Sequence, residues 1–294
     1  PNVPRTNGVT KIHISRIDAI VKSNEPQVAL PEPKIGKTEK AIAKYIVKLI
    51  PKNPTLQFGI GGIPDAVAGL LAASGRKDLR VRSEMISDGV VKLAEAGAIK
   101  GKVAYSFAMG SQKMLSWLNN NKKARTYTTD QINDPASLAS IKRMVSVNSA
   151  LRVDLNGQVN AQYVKDSWYS GVGGQVDFFR GAMGSDGGKA ILALPATTTL
   201  KTGKVISRIV PHLGEGDIVT TSMHDVQYVV TEYGVAHIDG KTAVARARAL
   251  IKIAAPQFRR TLTKNLNAQL DKRRVGEQRK YEAYQAKKLA SSIH

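Results

Sequence analysis

From Thr55 to Asn148 the chain repeats one pattern: a short β-rich run, a turn marked by glycine or proline, then a run at helical spacing. Thr55–Ile60 is strand-like, and Pro64 opens a helix that Gly75 closes. Arg80–Ser83 is a strand, and Val90–Ala96 a helix ended by Gly97. Val103–Ala108, Ser111–Leu118 and Met144–Asn148 continue as strand, helix and strand. A helix between successive strands supplies the long crossover that parallel pairing needs. The expectation is therefore an α/β fold, an open, mostly parallel, doubly wound sheet. Ahead of it, Ile42, Tyr45, Ile46, Leu49 and Ile50 fall at helical spacing with Thr38 as N-cap. Residues 10–22 alternate around Ile12, Ile14 and Ile17 and read as a strand or two, followed by a proline-rich linker from Pro26 to Pro33.

A β-hairpin interrupts the repeat. Leu151, Val153 and Leu155 alternate into Asn156-Gly157, a dipeptide suited to the positive φ angles of a tight hairpin turn. Ala190–Leu194, Asp217–Thr221 and Val226–Val230 are further strand candidates, and Lys241–Ala255 a helix stopped near Pro256. Beyond Gln257 the pattern is helical and polar, and Asp271 to His294 reads as a charged helix or a loose tail.

Composition removes several chemistries. With no cysteine, disulfides, thiolate metal sites and cysteine nucleophiles are excluded. Five scattered histidines without HExxH-type spacing give no metal signature. No apolar run reaches membrane-spanning length, so no membrane span is expected. The first residues, Pro1-Asn2-Val3-Pro4-Arg5, resemble neither a targeting helix nor a natural start, which suggests part of a longer or processed product. The charge is unusual: 44 Lys+Arg against 23 Asp+Glu gives +21, far above what solubility needs. Residues 261–294 hold eight basic and three acidic residues, so most of the surplus lies on the globular body. Such a surplus points to a polyanionic partner, mainly nucleic acid or anionic lipid.

Glu84 is the main chemical candidate. It lies in Arg82-Ser83-Glu84-Met85, at the carboxyl end of a strand, where α/β sheets place ligands. Two glycine turns are positioned to meet it: Gly59-Ile60-Gly61-Gly62, and Gly171-Val172-Gly173-Gly174. A carboxylate facing bare N–H groups suits covalent acyl transfer through an acyl-glutamyl intermediate. The first turn is neither GxGxxG nor GxxxxGK[ST], so nucleotide folds of those types are unsupported. On spacing alone it reads equally as a packing turn. Asp88 reads as a cap of the following helix, and Asn133-Asp134-Pro135 as another helix cap. Glu232 follows an apolar run, as surface glutamates often do. His212 and His224 have no serine motif such as GxSxG to act on.

Together, Phe58–Val67, Ser83–Val91, Ala108–Gln112, Asn148–Asn160, Tyr169–Gly181, Ile206–Leu213 and Thr220–Gly234 resemble the acetyl-CoA hydrolase/CoA-transferase family. The resemblance runs in collinear order to about Phe258. It is most specific in Tyr-Ser-Gly-Val-Gly-Gly-Gln-Val-Asp-Phe and Ser-Arg-Ile-Val-Pro-His-Leu. The resemblance implies a sheet of the CoA-transferase type and coenzyme A as substrate and product, with no metal. It also implies ping-pong exchange with a small carboxylate through a glutamyl-CoA thioester.

Residue by residue, Glu84 inherits the nucleophile's role, and Asn133 and Glu232 match positions that orient the glutamyl adduct. Gly174 matches the backbone N–H of the oxyanion site, while Gly59, Gly61, Gly62 and Gly173 match turns near the CoA. The chain looks like the family's second half. Residues 1–33 would be the end of an absent N-terminal domain plus linker, 34–258 the catalytic-type domain, and 259–294 a basic helical tail. A separate N-terminal half or a second copy would then complete a site that lies between domains. Without it, hydrolysis or no turnover is favoured over transfer. Arg82 is a departure, since the family usually carries histidine two residues before the nucleophile. The competing reading is an idle domain serving as a structural subunit of a large, RNA-rich assembly such as a mitochondrial ribosome. The expected location is the mitochondrial matrix, otherwise the cytoplasm.

Overall fold

In strand 189–193, Ile191 and Ala193 join one hydrophobic cluster while Ala190 and Leu192 join another. Alternate side chains of a strand point to opposite faces, so the sheet is apolar on both sides and needs helices on both. The computed structural model describes residues 2–164 and 167–291, with side chains to residue 285. Pro1 and the last three residues of the expected tail lie outside it.

In chain order the elements are α1 (Lys37–Leu49), β1 (Thr55–Phe58), α2 (Gly62–Ala73), β2 (Leu79–Ile86), α3 (Asp88–Glu95), β3 (Ile99–Ala108), α4 (Gln112–Leu118) and β4 (Ala124–Thr126). Two short helices follow, α5 (Thr129–Asn133) and α6 (Pro135–Ala139), then β5 (Met144–Ser149), β6 (Arg152–Asp154), β7 (Val159–Asn160), β8 (Tyr163–Val164) and β9 (Ser167–Trp168). The chain continues through α7 (Gln175–Gly184), β10 (Lys189–Ala193), β11 (Thr197–Thr199), β12 (Val205–Ser207) and β13 (Ile209–Val210). It closes with β14 (Tyr228–Thr231), β15 (Gly234–His237), α8 (Ala243–Ile253) and α9 (Pro256–Ser291).

The main sheet has eight strands in the order β15-β14-β10-β5-β1-β2-β3-β4. All its pairings are parallel except β14 with β15. Helices α1 to α4 cover one face through residues such as Ile42, Ile46, Leu71, Leu93 and Met114. Helices α6 to α9 cover the other through Leu138, Phe178, Phe179, Leu250 and Leu262. Phe178 and Phe179 are fully buried, each contributing about 1.5–3 kcal/mol relative to an exposed ring. The doubly wound reading is therefore what the chain adopts.

The Asn156-Gly157 hairpin forms with Gly157 at φ 92° and pairs β6 with β7. Together with β13 it makes a separate three-stranded sheet. No helix among the described residues is long and apolar enough to cross a membrane.

Four local readings differ. Residues 10–22 carry a single turn of 3-10 helix, Ile14–Arg16, and no strand; their side chains are exposed, so nothing rewards an extended pairing. Helix α1 starts from Gly36, whose N–H is met by Glu39, and Thr38 lies inside the first turn. Asp88 is the first residue of α3, not its cap. Its buried carboxylate turns to the next helix and accepts from the Ser111 N–H at 2.9 Å and from the Ser111 hydroxyl. Asp217–Thr221 forms no strand, only a bridge from Thr221 to Val159. Asp217 is instead drawn to Arg152 and Asn160.

Candidate active site

Strand β2 alternates buried and less buried positions, so Leu79, Val81 and Ser83 face one side while Arg82 and Glu84 share the other. Ser83 is the last residue tied to β1, through a hydrogen bond from its hydroxyl to the Phe58 carbonyl. Glu84 thus stands past the carboxyl end of its inner neighbour, half-buried. Its Oε2 accepts the Gly174 N–H at 2.7 Å.

Gly174 is the N-cap of α7. At φ −90° and ψ 12° its backbone suits any residue; the demand for glycine is spatial. A Cβ there would fall on the Asn133 amide nitrogen and lie 2.7 Å from Glu84 Oε2. Gly173 differs, for its φ of +61° is a left-handed conformation that glycine adopts without strain. The result is a free N–H at a helix N-terminus, with the positive end of the helix aimed at a carboxylate.

Asn133 ends α5 and is 8% exposed. Its Oδ1 has no hydrogen-bond partner among the described residues. Nearby on α7, burial pushes the Asp177 carboxyl above the usual aspartate range, while Asn133 and Arg180 pull it back. Asp134 caps α6, accepting the Ser137 N–H at 2.8 Å, as the Asn-Asp-Pro triplet suggests. Glu84, Asn133, Gly173 and Gly174 therefore meet, although 90 residues separate the first from the last.

The first glycine turn has different neighbours. A Cβ on Gly59 would sit 2.7 Å from Asn148 Oδ1, and one on Gly62 would approach Glu39 and the Lys34 carbonyl. Gly61, at φ +113°, faces open space. Asn148 is itself locked in a buried network with Gln57 and Ser146. Glu232 lies at the turn between β14 and β15, four places along the sheet from β2. There its Oε2 accepts the Ala196 N–H at 2.8 Å, and no hydrogen bond among the described residues joins it to Glu84, Asn133 or Gly174.

Sequence reading missed Asp65 and Asp177. Asp65, on α2, accepts the Ser87 hydroxyl at 2.7 Å just past the end of β2, a link across 22 positions that no local pattern announces. Asp177 has only the weak signal of an acid in the first turn of a helix.

The family model described as the acetyl-CoA hydrolase/transferase C-terminal domain matches residues 110–266. That span contains Asn133, Gly173, Gly174 and Glu232. The chain is 50% identical over 269 residues to a 4-hydroxybutyrate coenzyme A transferase of Clostridium kluyveri, covering 89% of this chain and 62% of that protein. Among solved structures it resembles RipA from Yersinia pestis, with a TM-score of 0.83 at 35% identity over 90% of this chain and 61% of that one. A 4-hydroxybutyrate CoA-transferase from Porphyromonas gingivalis matches with a TM-score of 0.76 at 39% identity, over 90% of this chain and 64% of that one. The chain thus spans about three fifths of the length of these relatives.

Proposed function

The chain belongs to the acetyl-CoA hydrolase/CoA-transferase family, and from that premise we propose that it carries the nucleophile of an acyl-CoA:carboxylate CoA-transferase or acyl-CoA hydrolase. The observation that carries the reading is the Glu84 carboxylate held at 2.7 Å by the Gly174 N–H beside buried Asn133.

The chemistry follows from which oxygen that N–H touches. Glu84 attacks the thioester carbonyl, the C–S bond breaks, and CoA leaves as thiolate from a mixed acyl-glutamyl anhydride. The thiolate then adds to the glutamyl carbonyl and expels the acyl group as a carboxylate, leaving a glutamyl-CoA thioester. An incoming carboxylate adds to that thioester and releases the thiolate, which takes the new acyl group and frees Glu84. Water in the carboxylate's place gives hydrolysis. The Gly174 N–H holds a glutamyl oxygen, so it stabilises the oxyanions formed when the glutamyl carbon is attacked. In the resting enzyme the same bond steadies the carboxylate.

On this reading residues 34–258 are the catalytic-type domain, and acyl-CoA and a small carboxylate are its substrates. A separate N-terminal half or a second copy supplies the remaining wall. Gly59, Gly61 and Gly62 line the approach of CoA; the open space beside Gly61 leaves room for it. Glu232, held on the Ala196 N–H, is assigned the adduct-orienting role that its segment implies.

Incubation with acetyl-CoA followed by borohydride reduction, with the adduct mapped by mass spectrometry, tests the assignment. The label is expected on Glu84 and absent in Glu84→Ala; label elsewhere, or turnover surviving the substitution, removes it.

A second reading rests on the tail. Helix α9 carries ten lysines and arginines against three acids. Past Leu270, the last of the described residues packed on the core, positions 271–284 are exposed except Gly276. An exposed basic helix on a chain of charge +21 suits an idle domain built into an RNA-rich assembly. RNA affinity that falls steeply with salt, and that drops when residues 261–294 are removed, supports it; a flat salt response counts against it.

A further inference from the structure

Asn133 poses a mechanical question. It ends a helix of five residues, too short to hold its own shape in water, so something outside α5 must fix it. Arg82 meets that need. From the same face of β2 as Glu84, its Nε donates to the Ile132 carbonyl at 3.2 Å. One terminal nitrogen donates to the Gln131 carbonyl at 2.6 Å, and the other to the Ser137 hydroxyl at 2.9 Å. These carbonyls belong to the last turn of α5, where a helix leaves acceptors without internal partners. The Ser137 contact extends the grip into α6, so the guanidinium spans the corner at which Asn133 sits.

The connection closes on itself. Glu84 is bound to Gly174 at the head of α7. At that same residue the Asn133 amide packs so closely that a Cβ on Gly174 would fall on its nitrogen. Asn133 hangs from α5, and α5 is pinned by Arg82 two residues from Glu84. We propose that Arg82 is a positioning residue of the acyl-transfer site, fixing Asn133 relative to Glu84 by clamping the α5–α6 corner to the strand that carries the nucleophile. Resting on the acyl-transfer reading, the proposal adds a residue that touches no substrate. Period-two alternation requires whatever stands at position 82 to share the face of residue 84, and a planar fork of five donors is suited to gripping two carbonyls and a hydroxyl together. Lysine in its place has the charge without the fork.

The test uses the full chain with Arg82→Gln, Arg82→Lys, Asn133→Ala, the double variant Arg82→Gln/Asn133→Ala, and Arg152→Gln as a control arginine outside this circuit. Two quantities are read: the single-turnover rate of Glu84 adduct formation from acetyl-CoA, and backbone hydrogen exchange at residues 129–137. Arg82→Gln is expected to slow the adduct roughly 10- to 100-fold, the usual consequence of a group displaced by about an ångström. Half-saturation by acetyl-CoA should change little, Arg82→Lys should recover part of the rate, and Arg152→Gln should leave it alone. Because Arg82 acts through Asn133, adding Arg82→Gln to Asn133→Ala should cost almost nothing more. Multiplying effects, or an unchanged rate in Arg82→Gln, overturn the proposal. If the unsubstituted protein forms no adduct, the acyl-transfer reading fails on its own, and exchange decides the clamp. Faster exchange at 129–137 in Arg82→Gln, with Arg152→Gln unchanged there, upholds it; identical protection overturns it.

Discussion

The two glycine turns look alike in sequence and differ in what their glycines are for. Gly171–Gly174 closes on Glu84: Gly173 supplies a left-handed backbone, and Gly174 leaves room for Asn133 while its N–H meets Glu84. Gly59–Gly62 closes on structure: Gly59 leaves room for Asn148 and Gly62 for Glu39, while only Gly61 faces outward. A glycine therefore says that space or φ is constrained, and its neighbours decide whether the constraint serves chemistry or packing.

The contrast breaks most readily at Gly174. In Gly174→Ala the new methyl must displace either Asn133, which is buried, or Glu84 itself. Adduct formation should fall about 100-fold or more, comparable to losing an oxyanion donor, with a modest drop in melting temperature. Gly171→Ala, three residues earlier, meets nothing within 4 Å and should retain the rate. Stopped-flow or quenched-flow adduct kinetics beside thermal unfolding separate the two; equal losses in both variants would mean the loop is merely sensitive to bulk.

At Gly59 the expected loss is smaller and of another kind. A methyl would press on Asn148 Oδ1, which cannot swing away because Gln57 and Ser146 hold the amide. Overpacking a buried, tied site costs about 1–3 kcal/mol. Gly59→Ala should therefore destabilise by that amount in denaturant titration while the stable fraction still labels Glu84. Pairing it with Asn148→Ser should return part of the stability. Loss of labelling with full stability would make the two turns equivalent, and the contrast would collapse.

The same division explains what the sequence disclosed. The strand–helix alternation was legible because each boundary is signed locally, by Gly75 and Gly97 at helix ends, by Ser111 at a helix start, and by Asn156-Gly157 in the hairpin. Glu84 was legible as an acid within a recognisable segment, although its strand runs on to Ile86, past the expected end at Ser83. Its partners were not readable from spacing. Asn133 and Gly174 reach it across 49 and 90 positions, and only the likeness of their segments to a known family brought them into view. Arg82 stood out only as an exception to that likeness, and its purpose lies in carbonyls some 50 positions away. Residues 10–22 misled for the opposite reason: alternation suggested a strand, but no neighbour among the described residues pairs with it.

The smallest expected effect lies at Asp65, the acid that ties the helix after the first glycine turn to the end of the strand carrying Glu84. It follows the first glycine turn on α2 and accepts the Ser87 hydroxyl, just past the end of β2. Burial pushes its carboxyl above the ordinary aspartate value, and the contacts with Ser87, Lys92 and Gly89 pull back less strongly. The sign follows from linkage. With a folded pKa above the unfolded one, Asp65 contributes most to stability while neutral in both states, below about pH 3.9. That contribution is lost as the pH rises through the raised folded pKa. Asp65→Asn keeps the shape and the neutral charge at every pH, so its stability relative to the unsubstituted protein should rise over that window and then level off. Denaturant titrations of both proteins from pH 4 to 8 give the difference directly, since other titrating groups are common to both. A difference that falls with rising pH would mean that the hydrogen bonds outweigh burial. Asp65 would then hold the end of β2 as a charged cap, and the tie between α2 and the strand of Glu84 would be electrostatic instead of a matter of packing.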